Sequence, residues 1–260
     1  MKSPPVYHEG VAHRCEVRDW FTQPLGERLL CEERRYLDEV LPYLFGYHLV
    51  QVGRFSACDL LYPSRVLHRV VIDPDYGTNP LVPDIYGCPD SLPVESGSVD
   101  VLLLHHTLEF EPEPHQVLRE ADRVLIPEGH AVILNFNPWS IWGMWRLAAR
   151  RGGRAPWCGQ FISLTRLKDW LALLGFDVVT CRPYFFLPPL HSEAIMQKLQ
   201  FLDRLSERWW PLLPGAYLIV AKKRVATLTP IRPRWRPRRS RLLAPDLARP
   251  AHNHTIHERR

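Results

Sequence analysis

Residues 91–138 read SLPVESGSVDVLLLHHTLEFEPEPHQVLREADRVLIPEGHAVILNFNP, and the order of elements in this stretch decides the fold. Val99 to Leu104 is a short apolar run broken only by Asp100, the length and character of a buried parallel strand. Pro114 to Leu125 carries apolar residues at helical spacing, and Ala131 to Phe136 is a second apolar run. Strand, helix and strand in succession predict half of a doubly wound, mostly parallel α/β sheet.

Working outward, residues 19–46 space Leu29, Leu30, Glu33, Tyr36, Leu37, Val40 and Leu41 at three and four, which predicts an N-terminal helix ending near Pro42 and Gly46. Tyr47 to Gly53 suits the first, central strand, and Ser56 to Leu61 is read as the start of the next helix, cut short by Pro63. Val66 to Asp73 is a second strand closing on an acid, followed by a brief strand at Asp84 to Tyr86. Helices are expected at 138–153, 164–174 and 192–210, and strands at Phe176 to Cys181 and Ala216 to Ala221. The resulting division is an N-terminal helical segment (1–46), a main domain (47–224) with a helical insertion at about 185–212, and a tail (225–260).

Charge divides the chain in the same way. Residues 222–260 hold 12 Lys/Arg against Asp246 and Glu258, so the remaining 221 residues carry 21 basic and 26 acidic side chains. A mildly acidic body therefore precedes a strongly basic tail. Its segment IRPRWRPRRSR (231–241) has too little apolar surface to offset ordering entropy and reads as disordered. By charge alone it can touch an anionic membrane surface or nucleic acid, beside the simpler reading of a solvated tail. The six cysteines form no Cys-x-x-Cys pair, which points to reduced thiols. No segment has the apolar core of a signal peptide or the ~20 apolar residues of a membrane span, so a cytoplasmic protein is expected.

The segments LPVESGSVDVLLLHHTLEF and VLREADRVLIPEGHAVI resemble the pattern of class I S-adenosylmethionine-dependent methyltransferases, most closely their type 11 group. The resemblance runs from about Leu49 to Phe176 and is dense between Leu92 and Pro138. It implies a seven-stranded Rossmann-like sheet, S-adenosylmethionine as cofactor and a small-molecule or lipid-like methyl acceptor. Where the family has the loop D-x-G-x-G-x-G, this chain has Gln51, Gly53, Phe55 and Ala57, so only the first glycine is retained. Glu128 likewise replaces one glycine of the family's PGG turn, leaving Gly129.

In such a sheet the ligand lies beyond the carboxyl ends of the strands, at the point where strand order reverses. Gly53 allows close approach of a cofactor to backbone. Asp73 matches the family acid that accepts hydrogen bonds from the ribose hydroxyls, or else it caps a turn before Pro74. Asp90 and Leu92 fall where the family grips adenine, with turn capping as the alternative for Asp90. His105 borders the cofactor site, and His105 or His106 is the candidate general base if the acceptor is protonated; a packed or capping histidine is the alternative for each. Asn137, Trp139 and Trp142 follow the fifth strand and are candidates for the acceptor pocket, against ordinary core packing of a helix. Asp100, Arg119, Glu120 and Arg123 read as structural.

The set His105, His106, Glu109, Glu111, Glu113 and His115 has mixed spacing that the family pattern explains without metal, so no metal is expected. Methyl transfer to a small or lipid-like acceptor is the leading expectation. Two alternatives stand beside it: a degenerate relative that kept the fold as a binding or partner module, and a nucleic-acid methyltransferase motivated by the tail. The tetrapeptide N/D-P-P-Y/F of base-amino methyltransferases is absent after the fourth strand, where HHTLEF stands instead.

Overall fold

The structure is a computed structural model and describes residues 7–75, 81–149, 155–188 and 214–224. The expected insertion helix at 192–210 and the basic tail lie outside these residues. The described elements are α1 (Tyr7–Phe21), α2 (Pro24–Val40), β1 (His48–Val52), β2 (His68–Asp73), β3 (Ile85–Tyr86), β4 (Val99–His105), α3 (Thr107–Phe110), α4 (Pro114–Val124), β5 (Leu125–Phe136), α5 (Ile141–Ala149), α6 (Leu164–Leu173), β6 (Phe176–Tyr184) and β7 (Ala216–Lys223). They build one seven-stranded sheet in the order β3-β2-β1-β4-β5-β7-β6. Strands β1 to β5 run parallel, while β7 is antiparallel to both β5 and β6. This is the doubly wound α/β sheet expected from the sequence.

Period-two alternation divides the side chains between two cores. Leu49, Val101, Leu103, Val132, Leu134, Leu218 and Val220 face a layer that includes Leu29, Tyr36 and Leu37 of α2. Val50, Val52, Leu102, Leu104, Ala131, Ile133 and Ile219 face the opposite layer, with Val117, Leu118 and Ala121 of α4 and Leu167 and Leu171 of α6. Each fully buried Leu or Val contributes roughly 1.5–3 kcal/mol relative to exposure. A one-residue slip of any central strand would exchange its two faces, and both partners hold the register.

Three local outcomes differ from expectation. The N-terminal segment is two helices, broken at Thr22 and Gln23 with Pro24 in the first turn of α2, because proline is tolerated there and not inside a helix. The helix expected from Ser56 is replaced by turns. Asp59 accepts a hydrogen bond from the Leu61 backbone N–H at 2.9 Å and Ser64 from that of Val66 at 3.1 Å, local bonds that compete with a helix. Finally, β5 begins at Leu125, six residues before the expected run, and Glu128 takes the turn's left-handed conformation at φ +65°. Its carboxylate reaches Lys222 and Arg224 at 2.7 and 2.8 Å.

Asp100 has a structural task at the head of the sheet. Its Oδ2 accepts hydrogen bonds from the backbone N–H groups of Tyr47 and His48, both at 2.9 Å, and so fixes where β1 starts beside β4. A Cβ on Gly46 would come within 2.2 Å of this side chain, so the position excludes larger residues. Arg123 pairs with Glu120 and donates to the carbonyls of Leu92 and Val94, tying α4 to the loop before β4.

Candidate functional site

Strand order reverses between β1 and β4, and the crevice at their carboxyl ends gathers the candidate cofactor residues. Gly53 follows β1 at φ +89°, a conformation that favours glycine, and a Cβ there would meet Thr107 Oγ1 at 3.1 Å and His105 O at 3.3 Å. Thr107 donates its hydroxyl to the carbonyl of Val52 at 2.7 Å, closing the end of β1. Gln51 Nε2 donates to the carbonyl of Gly53 at 2.8 Å, so the residue in the family's acidic position holds the loop internally.

Asp73 ends β2 fully buried. Its Oδ2 accepts from the Arg54 backbone N–H at 2.7 Å and from Arg14 Nη2 at 3.3 Å, and its Oδ1 accepts from the Asp75 backbone N–H at 3.0 Å. Arg14, from α1, also donates to Glu111 at 3.0 Å and lies 4.0 Å from Asp75, while Arg18 pairs with Asp75. Burial pushes the Glu111 carboxyl up to about 7 against the pull of Arg14, with Asp90 and Asp73 adding repulsion. Burial raises the Cys88 thiol, and Asp90 and Glu111 add to the effect. Asp73, Asp90, Glu111 and Cys88 thus share one electrostatic neighbourhood around Arg14. Leu92 is buried, with its backbone N–H donated to Glu120 at 3.2 Å.

Phe55, where the family has glycine, is 1% exposed. Its ring stacks on Phe21 of α1 at 6.1 Å, and the Arg14 guanidinium lies 5.0 Å above it. Three buried polar atoms around this region, Arg14 Nε, Ser56 Oγ and Asp75 Oδ1, have no hydrogen-bond partner. The crevice therefore combines the polar groups of a ligand site with a plug of Arg14 and Phe55.

His105 and His106 lie beneath this layer with no exposed surface. Glu33 of α2, also fully buried, receives His105 Nε2 at 2.8 Å and His106 Nε2 at 2.7 Å, with the Tyr184 hydroxyl donating at 3.1 Å. His106 Nδ1 meets Glu109 at 2.7 Å, and Glu109 accepts from the Phe136 backbone N–H. Burial pushes His106 down, but Glu109 and Glu33 overcome it and raise it to about 10. Burial lowers His105 despite Glu33. Burial also pushes Glu33 up, and the two histidines overcome it to hold it at about 2. Both rings are held by buried carboxylates and have no exposed surface, so in this conformation neither is placed to serve an acceptor as a base. His106 also sits in the left-handed region at φ 48°, a strain on the order of 1 kcal/mol for a non-glycine residue.

The acceptor candidates separate. Trp142 is 1% exposed, stacks on Phe136 at 5.7 Å and donates to the carbonyl of Leu187 at 2.7 Å, so it is a core residue. Asn137 bridges the end of β5 to the chain before β7, donating to Pro214 O at 3.1 Å and accepting from the Trp139 N–H at 3.0 Å. Trp139 is 75% exposed and lines a cleft of about 510 Å³ with Arg146, Phe161, Arg166 and Trp170. Both arginines lie over aromatic rings, Arg146 at 5.3 Å from Phe161 and Arg166 at 4.9 Å from Trp170.

Sequence reading missed Arg14, Arg18, Glu33, Thr107 and Tyr184 as site residues, and weighed Glu111 only within a possible metal set. A signal existed for Glu33, an acid on the apolar face of a helix, and for Arg14 and Arg18, which share a face at a spacing of four. Tyr184, 151 positions from its partner, left none.

Comparison with known proteins agrees with this architecture. Residues 78–133 match a family described as methyltransferase domain. The chain is 33% identical over 229 residues, 88% of either chain, to the uncharacterized protein YafS of Escherichia coli K12. Among solved structures, an S-adenosylmethionine-dependent methyltransferase of Thermotoga maritima superposes with a TM-score of 0.56 at 18% identity, covering 85% of this chain and all of that one. One from Archaeoglobus fulgidus gives 0.51 at 18% identity over 76% and 94%.

Proposed function

We propose that this chain, which belongs to the class I S-adenosylmethionine-dependent methyltransferases of the type 11 group, methylates a small-molecule or lipid-like acceptor. The family's cofactor supplies an electrophilic methyl on a sulfonium, and a methyltransferase's main tasks are to align the acceptor and exclude water. The observation that carries the reading is the convergence of Gly53, Asp73 and Asp90 on the switch-point crevice.

The residues fit the cofactor at its polar end. Asp73 would accept the ribose hydroxyls, Asp90 and the backbone beside Leu92 would flank the adenine, and Gly53 would admit the methionine moiety. Arg14 Nε, Ser56 Oγ and Asp75 Oδ1, buried without a hydrogen-bond partner, are groups that a polar ligand would satisfy. The plug opposes the fit: Arg14 donates to Asp73 Oδ2, so a ribose bound there would compete with the Arg14 side chain. The cleft at Trp139, Arg146 and Arg166 suits an acceptor with an apolar or planar body and an anionic group. Among the described residues no helix is long and apolar enough to cross a membrane.

Calorimetric titration of the full chain with S-adenosylmethionine and S-adenosylhomocysteine tests the cofactor assignment. Micromolar binding that disappears in Asp73→Ala is expected. A folded protein that releases no heat at millimolar ligand would instead favour the second reading, a methyltransferase fold kept as a binding module, which the closed Arg14–Asp73 contact supports. Transfer of a labelled methyl group to small acceptors and lipids but not to RNA or DNA is the expected specificity.

A further inference from the structure

We propose that Glu33, His105 and His106 form a structural binding site for a divalent first-row transition ion, zinc foremost, that ties α2 to the end of β4. One carboxylate oxygen and the two ring Nε2 atoms lie within 4.8 Å of one another, and all three residues are fully buried. Two imidazoles and a carboxylate are the donor types that such ions take. Ligand bonds of about 2.0–2.2 Å in tetrahedral geometry set donors roughly 3.3 Å apart. Glu33 Oε2 lies 2.8 Å from His105 Nε2 and Oε1 lies 2.7 Å from His106 Nε2, so the carboxylate would turn one oxygen toward both rings and these contacts would open by about half an ångström.

Surrounding groups support the assignment independently. His106 offers Nε2 while its Nδ1 is held by Glu109, itself fixed by the Phe136 backbone, the carboxylate–histidine arrangement that orients metal ligands. Because the ligands have no exposed surface, the ion would be structural, shut off from substrate.

The test uses the full chain purified without a polyhistidine tag, incubated with zinc chloride, dialysed against EDTA and analysed for metal. About one zinc ion per chain should resist removal, and cobalt chloride should give the visible d–d bands of a low-coordinate site. Glu33→Gln and His105→Gln should each lose the ion. The exposed pair His48 and His68, whose Nδ1 atoms are 2.9 Å apart, is the alternative surface site, and His48→Ala should leave the bound zinc unchanged. Wild-type protein with no EDTA-resistant zinc overturns the proposal, whatever the variants do. Loss of zinc in His48→Ala alone also overturns it.

Discussion

Arg14 Nη2 stands 3.3 Å from Asp73 Oδ2, with both side chains buried, so helix α1 reaches across 59 positions to occupy the acid that ends β2. Two opposed demands meet there. Asp73 has a positive partner in this structure, and under the proposed function it would offer the same oxygen to a ribose.

Replacing Arg14 by alanine should separate these demands. Removing one member of a buried ion pair costs about 3–5 kcal/mol, so the denaturant midpoint of Arg14→Ala should fall clearly. S-adenosylhomocysteine, added in excess, should recover part of that loss, and its affinity should be at least that of the wild type. Calorimetry that shows weaker binding than wild type would mean that Arg14 holds the ligand and does not compete with it.

Phe55 should behave as core. Its side chain is 1% exposed between Phe21, Arg14 and Phe110, and truncation of such a ring costs about 3–5 kcal/mol. Phe55→Ala is expected to lower stability by that amount in urea unfolding. A change below about 1 kcal/mol would show that the ring does not fill the crevice in solution.

The pH dependence of folding should report Glu111. Burial raises its carboxyl from 4.5 to about 7, beside Arg14, Asp73, Asp90 and Cys88. A folded pKa above the unfolded one means stabilisation that is complete below about 4.5 and lost as pH rises through about 7. The full loss is on the order of 3 kcal/mol at 1.36 kcal/mol per unit. Relative to Glu111→Gln, wild type should become less stable between roughly pH 5 and 8. Parallel stability curves for the two proteins would rule the shift out.

Two tryptophans three residues apart should part company. Trp142→Ala removes a buried ring and its hydrogen bond to Leu187 and should cost about 3–5 kcal/mol. Trp139→Ala should alter stability by less than about 0.5 kcal/mol and instead weaken acceptor affinity, because this ring is exposed in the cleft. Thermal unfolding and acceptor KM, measured on both variants, distinguish the roles.

What could be read in advance followed from periodicity. All seven strands were expected from the sequence, and central β1, β4 and β5 stood out as apolar runs because buried parallel strands have that pattern, while the acid at Asp73 marked the end of β2. The crossover after β1 misled because Asp59 and Ser64 satisfy backbone groups locally, a competition that apolar spacing does not reveal. Trp142 and Trp139 looked alike because helical spacing identifies a shared face without saying what covers it. The Arg14 and Glu33 partnerships were invisible for another reason: a pairing across 59 or 72 positions depends on the completed sheet.

Glu33 waits 72 residues for His105, and this has a consequence in time. At synthesis rates of about 5–20 residues per second, α2 (ending at Val40) is complete roughly 3–13 seconds before His105, which pairs with its buried acid, is made. During that interval an amphipathic helix carrying Leu29, Tyr36 and Leu37 has no surface to cover. The buried pairing of α2 is thus completed only once the middle of the sheet has been synthesised.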